Sequence, residues 1–208
     1  MQATHKARFK AAQIIPVIVI DRLQDAVPMA EALVAGGLDV LEVTLRTEHG
    51  LKAVEQIAAK VPEALVGVGT AINQQHILDS KSAGATFAVS PGLSASVIDA
   101  AQSVDLDLLP GVANAGDMMV ALDAGIDFVK FFPAETLGGI SALKAYGGPF
   151  AQLEFCPTGG IKASTAKDYL ALSNVVCVGG SWVLPADDIA AGNWQAITAL
   201  CKAAKTEL

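Results

Sequence analysis

Asp127-Phe128-Val129-Lys130-Phe131-Phe132-Pro133-Ala134-Glu135 is the stretch from which the rest of the chain is read. It is a short run of β-branched and aromatic residues stopped by a proline, the pattern of a buried strand. Side chains alternate along a strand, so Phe128, Lys130 and Phe132 share one face, and Val129 and Phe131 the other. Neither face is polar, so Lys130 enters an apolar surrounding whichever way it points. Burial disfavours an ammonium ion. A lysine desolvated in this way carries a free amine that can attack a carbonyl and form a Schiff base. The plainer alternative is a lysine at a strand end, with its stem packed and its head in water.

Upstream of this strand, residues 115–124 have helical spacing and end at Gly125. Downstream, residues 140–146 form a short helix. The same order of helix end, glycine and strand recurs. Ala35-Gly36-Gly37-Leu38-Asp39-Val40-Leu41-Glu42 resembles Ala124-Gly125-Ile126-Asp127-Phe128-Val129-Lys130, and Ser82-Ala83-Gly84-Ala85-Thr86-Phe87-Ala88-Val89 follows the same pattern. Aligning Gly37 with Gly125 puts Glu42 at the position of Lys130. A carboxylate and an amine therefore reach equivalent depths in two strands.

Along the whole chain, apolar strands are expected at 14–20, 40–45, 65–70, 86–89, 106–109, 128–132, 153–156 and 175–178. Each is followed by a helical stretch: 23–35, 48–60, 74–83, 94–102, 115–124, 140–146, 164–172 and from 187 onward. Residues 1–13 read as a short polar lead-in. The strands are short and dominated by Val, Ile, Leu and Phe, as a parallel sheet covered by helices requires. Successive βα units with no linker predict an α/β protein whose residues 1–208 form a single domain, a (β/α)8 TIM barrel. An open doubly wound sheet is the alternative. It usually carries a glycine-rich fingerprint after its first strand, and Ile20-Asp21-Arg22-Leu23 has none.

The composition agrees with buried strands or a sizeable subunit interface, because 52% of residues are hydrophobic and only 17% are charged. No apolar run suits a transmembrane helix, and Met1 to Lys10 lacks the apolar centre of a signal peptide. A net charge of −7 without a basic cluster argues against nucleic acid as a partner. The three cysteines, Cys156, Cys177 and Cys201, are widely spaced, which points to a reducing cytoplasm. His5, His49 and His76 are scattered, with no metal-ligand spacing. His49 follows Arg46 closely enough to reach a site there, but reads more simply as a surface-loop residue.

Active sites of barrels of this kind lie at the carboxyl ends of the strands. The strand through Val40-Leu41-Glu42-Val43-Thr44-Leu45-Arg46 gathers Glu42, Thr44 and Arg46 on one face. Glu42 is either a working acid/base or half of a structural salt bridge. Thr70, Ser90-Pro91, Thr158-Gly159-Gly160 and Gly179-Gly180-Ser181 end other strands and would meet at the same mouth. Glycine lets backbone N–H groups approach an anion, and the loops after strands seven and eight are the usual phosphate site of the barrel. Two ordinary tight turns are the alternative.

Taken as a set, Glu42-Val43-Thr44-Leu45-Arg46-Thr47-Glu48, Gly67-Val68-Gly69-Thr70, Phe87-Ala88-Val89-Ser90-Pro91-Gly92, Lys130-Phe131-Phe132-Pro133-Ala134-Glu135, Phe155-Cys156-Pro157-Thr158-Gly159-Gly160-Ile161 and Gly179-Gly180-Ser181-Trp182 resemble the bacterial 2-keto-3-deoxy-6-phosphogluconate (KDPG) aldolases, which also act as 4-hydroxy-2-oxoglutarate (KHG) aldolases. The resemblance spans nearly the whole chain. It implies a cofactor-free, metal-free class I aldolase, cytoplasmic and homotrimeric, acting on a small keto acid. It further implies that Lys130 forms the Schiff base and Glu42 is the acid/base. Arg46 and Thr70 would hold the substrate carboxylate, and Pro91, Phe132 and Thr158 would line the pocket. Gly159, Gly160, Gly180 and Ser181 would hold the phosphate. Two rivals remain at this point. One is a phosphosugar epimerase or isomerase on the same fold. The other is a catalytically silent sugar-phosphate-binding barrel in which Lys130 merely pairs with Glu42.

Overall fold

The computed structural model describes residues 1–208. Its strands are β1 (Ile14–Ile18), β2 (Val40–Thr44), β3 (Leu65–Gly69), β4 (Phe87–Val89), β5 (Asp107–Leu109), β6 (Gly111–Val112), β7 (Phe128–Phe131), β8 (Glu154–Pro157) and β9 (Val178–Gly180). All pairings between them are parallel. One six-stranded sheet runs β5-β4-β3-β2-β1-β9, and a three-stranded sheet runs β6-β7-β8. Isolated parallel bridges, Phe155–Val175 and Thr158–Gly179, lie where β8 approaches the chain of β9. The result is an α/β fold with a curled parallel sheet.

The curl gives the strands an inner and an outer face, and each has its own apolar layer. Twelve buried residues, among them Ile15, Val40, Leu65, Phe87, Leu109 and Phe128, fill the inner face. Forty-six fill the space between strands and helices, so most of the burial that drives folding lies outside the curl. The helices supplying that outer layer are α2 (Ala26–Ala35), α3 (Gly50–Lys60), α4 (Gln74–Ser82), α5 (Ala95–Ser103), α6 (Ala115–Asp123), α7 (Gly139–Tyr146), α8 (Ala163–Leu170), α9 (Ala186–Ala191) and α10 (Trp194–Thr206). Asn73, Asn114 and Asn193 cap α4, α6 and α10, each side chain accepting the backbone N–H of the third helical residue. The glycines that mark the repeat, Gly37, Gly84 and Gly125, all have positive φ. Each stops its helix in a left-handed turn, which accounts for their recurrence at one place in the unit.

The fold departs from the sequence expectations in three places. The fifth strand is broken at Pro110 into β5 and β6, because proline has no N–H to give to a ladder. Its carbonyl still accepts the Lys130 N–H at 2.9 Å, so the chain keeps its course beside β7. The last strand begins at Val178, and Val175 and Val176 contribute only bridge contacts with Phe155.

The third difference is the lead-in, which is a helix, α1 (Ala3–Ala12). Its buried residues are only Phe9 and Ala12, too few to leave an apolar stripe in the sequence. Phe9 meets Phe87 and Phe128 edge-on, with ring centres 5.0 and 5.7 Å away. Polar contacts do the rest: a hydrogen bond between His5 Nδ1 and Asp107 at 2.7 Å, and ion pairs from Lys6 to Asp127 at 3.3 Å and to Glu154, and from Arg8 to Asp39 at 2.6 Å. Each of these carboxylates opens, or immediately precedes, a strand. Helix α1 therefore covers the amino end of the curl and leaves the carboxyl end open.

Candidate active site

Glu42 and Lys130 stand on the inner face at matching depth. The register sets Glu42 between Val17 on β1 and Gly67 on β3, and Lys130 between Gly111 on β6 and Cys156 on β8. Lys130 Nζ lies 3.2 Å from Glu42 Oε1, with the two side chains only 5% and 4% exposed. Isolated charges at such depth would be costly, and each is compensated by the other. The same Nζ is 5.1 Å from the centre of the Phe132 ring. Gly69 makes room for the carboxylate, since a Cβ there would overlap Glu42. The inner face also holds Cys177, whose thiol is pushed well up by burial and then by neighbouring Cys156 and Glu42.

At the mouth, Arg46 Nε donates to Thr70 Oγ1 at 3.2 Å. Thr70 has φ 63°, left-handed backbone that a β-branched residue rarely adopts and that costs roughly 1–3 kcal/mol. That turn carries the hydroxyl back toward Arg46. Beside them is a cavity of about 340 Å³, walled by Val17, Val19, Arg46, Phe132, Thr158 and Ile161 and floored by Gly159, Gly160, Gly179, Gly180 and Ser181.

The glycine loop after β8 is shaped by the chain after β7. Ala134 N–H donates to the Thr158 carbonyl at 2.8 Å, and Glu135 N–H to the Gly159 carbonyl at 3.1 Å. In a trans peptide the next N–H points away from the carbonyl. The N–H groups of Gly159 and Gly160 are thus turned from the 134–135 segment; that of Gly159 faces the Gly179 carbonyl across the Thr158–Gly179 bridge, and that of Gly160 has no acceptor within the protein. Both residues have positive φ, 104° and 82°, the conformation this requires and glycine permits. A free donor at Gly160 beside a cavity, ahead of the α8 N-terminus, suits an anion.

Of the residues singled out from sequence, Arg46, Phe132, Thr158, Gly159, Gly160, Gly180 and Ser181 line this cavity. Thr70 is joined to it through Arg46. Lys130 and Glu42 are buried off its wall, with Lys130 behind Phe132. Pro91 does not line it, and its carbonyl instead lies where a Cβ on Gly111 would stand. His49 is the residue before α3 and is half-buried away from the cavity. Gly179, expected at the mouth as part of Gly179-Gly180-Ser181, lines it too, whereas Val17, Val19 and Ile161 were missed. Alternation along β1 would have found the two valines, which continue the inner face of Ile15. No group of three His, Cys, Asp or Glu side chains converges in a way that could hold a metal ion.

Fold and site together define a lyase of the aldolase class. The chain belongs to the KDPG and KHG aldolase family, whose model matches residues 6–200. The KHG/KDPG aldolase of Escherichia coli (strain K12) is 51% identical over 191 residues, covering 92% of this chain and 90% of that protein. Among solved structures, KDPG aldolase from Legionella pneumophila, with pyruvate captured at low pH as a covalent carbinolamine intermediate, superposes with a TM-score of 0.93 at 49% identity, over 96% of this chain and 97% of that one. The KDPG aldolase of Zymomonas mobilis ZM4 with 3-phosphoglycerate gives a TM-score of 0.89 at 50% identity, over 95% and 93% of the two chains.

Proposed function

We propose that this protein is a class I aldolase that cleaves 2-keto-3-deoxy-6-phosphogluconate to pyruvate and glyceraldehyde 3-phosphate, and that it also cleaves 4-hydroxy-2-oxoglutarate. The observation that carries this reading is the buried contact between Lys130 and Glu42 at the carboxyl end of the curl. The covalent pyruvate adduct of the Legionella pneumophila relative supports it. At 3.2 Å a proton can pass from the ammonium to the carboxylate, leaving a neutral amine. That amine attacks the C2 ketone to form a carbinolamine, and Glu42 returns its proton to the departing hydroxyl, so that water leaves, an iminium remains and the carboxylate is a base again. The electrons of the C3–C4 bond flow into the iminium as the bond breaks, while Glu42, directly or through water, takes the C4 hydroxyl proton. Glyceraldehyde 3-phosphate leaves. The remaining enamine is protonated at C3, and hydrolysis releases pyruvate and the lysine.

In this reading Arg46 and Thr70 hold the substrate carboxylate, for which the guanidinium fork is suited. Phe132 and Thr158 shape the pocket, Pro91 backs it from outside the cavity wall against Gly111, and Gly159, Gly160, Gly180 and Ser181 take the phosphate. Residues 1–208 form one domain, and β5 with β6 counts as a single stave, so that eight staves close as a (β/α)8 barrel. The Thr158–Gly179 bridge supports closure between β8 and β9. The protein works in the cytoplasm as a homotrimer. Exposed Ile72, Met119 and Val120 supply apolar surface for the subunit contacts.

Pyruvate release from both substrates, followed in the presence of EDTA, tests the activity. Turnover that EDTA leaves intact is the expected result. Substrate binding without turnover would favour a silent binding barrel in which Lys130 and Glu42 are only a structural pair, and loss of activity restored by a divalent ion would rule out the lysine mechanism.

A further inference from the structure

Glu135 is an acidic residue placed directly behind the loop that offers the Gly160 N–H to an anion. Its N–H is bonded to the Gly159 carbonyl at 3.1 Å. Its Cγ and Cβ lie 2.7 and 2.8 Å from where a Cβ on Gly160 would stand. A free carboxylate there would repel a phosphate. It is not free. The Tyr169 hydroxyl, on α8, donates to Glu135 Oε1 at 2.5 Å. That oxygen is carried past Gly160 to the first turn of α7, 3.7 Å from a Cβ position on Gly139. The N-terminus of α7 favours a negative charge. Tyr169 itself is fully buried, and burial, then Glu135, holds its hydroxyl protonated well beyond the ordinary phenol range. The hydroxyl is therefore a permanent donor at this place.

We propose that Tyr169 is a positioning residue for the anion site: its hydroxyl pins the Glu135 carboxylate toward α7, away from the cavity side of the Gly159-Gly160 loop, so that the cavity accepts a phosphate. The inference rests on the reading of that loop as the phosphate site. Glu135 has two linked roles. Its backbone orients the glycine carbonyls, and its side chain must be kept from opposing the ligand those glycines would bind.

The test uses the full-length enzyme and inorganic phosphate as a probe, with KDPG and 4-hydroxy-2-oxoglutarate as substrates. In Tyr169→Phe, the KM for KDPG and the inhibition constant for phosphate should each rise about tenfold, the scale of one hydrogen bond to a charged group. Turnover number, thermal melting and kinetics with 4-hydroxy-2-oxoglutarate should change little. Adding Glu135→Gln to Tyr169→Phe should restore most of the phosphate affinity, because the amide carries no charge to repel it. A purely structural tyrosine would not be rescued this way. Unchanged phosphate inhibition in Tyr169→Phe, or failure of the double variant to recover, overturns the inference while leaving the phosphate site in place. A wild-type enzyme that phosphate does not inhibit overturns the phosphate site, and the inference with it.

Discussion

Lys130 Nζ and Glu42 Oε1 lie 3.2 Å apart although 88 positions separate them in sequence. The contact is direct and buried, and it comes from two strands whose registers set both side chains on the inner face. The amine and the carboxylate are thus preassembled. Several expectations depend on that geometry.

Glu42→Gln keeps the shape and removes the basicity. Turnover of either substrate should fall roughly 10²–10⁴-fold, the usual worth of acid–base catalysis. Gly69→Ala should reach the same residue from behind, since the new Cβ overlaps the carboxylate. A displaced base should cost about 10²-fold in kcat. Steady-state kinetics check both, and a Glu42→Gln enzyme near the wild-type rate would make the pair structural.

Thr70 has left-handed backbone, and its hydroxyl accepts from Arg46 Nε. Thr70→Gly removes the strain and the hydroxyl together. Its melting temperature should not fall, whereas KM should rise about tenfold for both substrates, because both carry the keto-acid carboxylate. Thr70→Ser should stay near wild type. An effect confined to the phosphorylated substrate would place Thr70 at the wrong end of the ligand.

The loops at Gly159-Gly160 and Gly180-Ser181 need carefully chosen variants. From sequence, Gly180→Val reads as a direct probe of the anion. In the structure a Cβ on Gly180 would run into the Trp182 ring, so that change disturbs packing first. Ser181→Ala and Gly160→Ala are better. Ser181→Ala should weaken KDPG by roughly 1.5–3 kcal/mol. Gly160→Ala should do at least as much, because φ is 82° and Glu135 Cγ stands 2.7 Å from the added carbon. 4-Hydroxy-2-oxoglutarate, which is shorter, should be nearly indifferent to both. Equal losses with the two substrates in folded protein would move the phosphate elsewhere.

The buried acids predict weakness in alkali. Burial lifts the Cys201 thiol to about 11, and Cys177 and Tyr169 also titrate above their ordinary ranges. The unfolded chain releases these protons before the folded one does. The stability they contribute is full below the ordinary thiol range and is lost as pH rises toward the folded values. Urea unfolding should show a midpoint that falls steadily between about pH 8 and about pH 11. Cys201→Ala should make the fall shallower, and an unaltered slope would remove Cys201 from the account.

Much of this was legible because the repeat is local. Helix, glycine and strand lie within a few residues of one another, so Gly37, Gly84 and Gly125 announce the βα unit, and alternation puts Glu42 and Lys130 at one depth. What was hidden depends on distant partners. Helix α1 buries only Phe9 and Ala12, and it is held by carboxylates at 39, 107, 127 and 154 that nothing near residues 5–8 reveals. Pro110 marked the end of a strand, yet whether the chain resumed beyond it depended on β7. The direction of the missing Cβ at Gly180 depended on where Trp182 folded back. Val17 and Val19 were readable as inner-face residues from the alternation that starts at Ile15.

Borohydride reduction in the presence of pyruvate tests the central claim, that Lys130 is the covalent nucleophile, most directly. Intact mass should rise by one reduced pyruvate adduct per chain, and peptide mapping should place it on Lys130. Lys130→Ala should abolish both trapping and turnover while keeping its circular dichroism. An adduct on another lysine, such as Lys144 or Lys162, or full turnover with no adduct at all, would contradict the account.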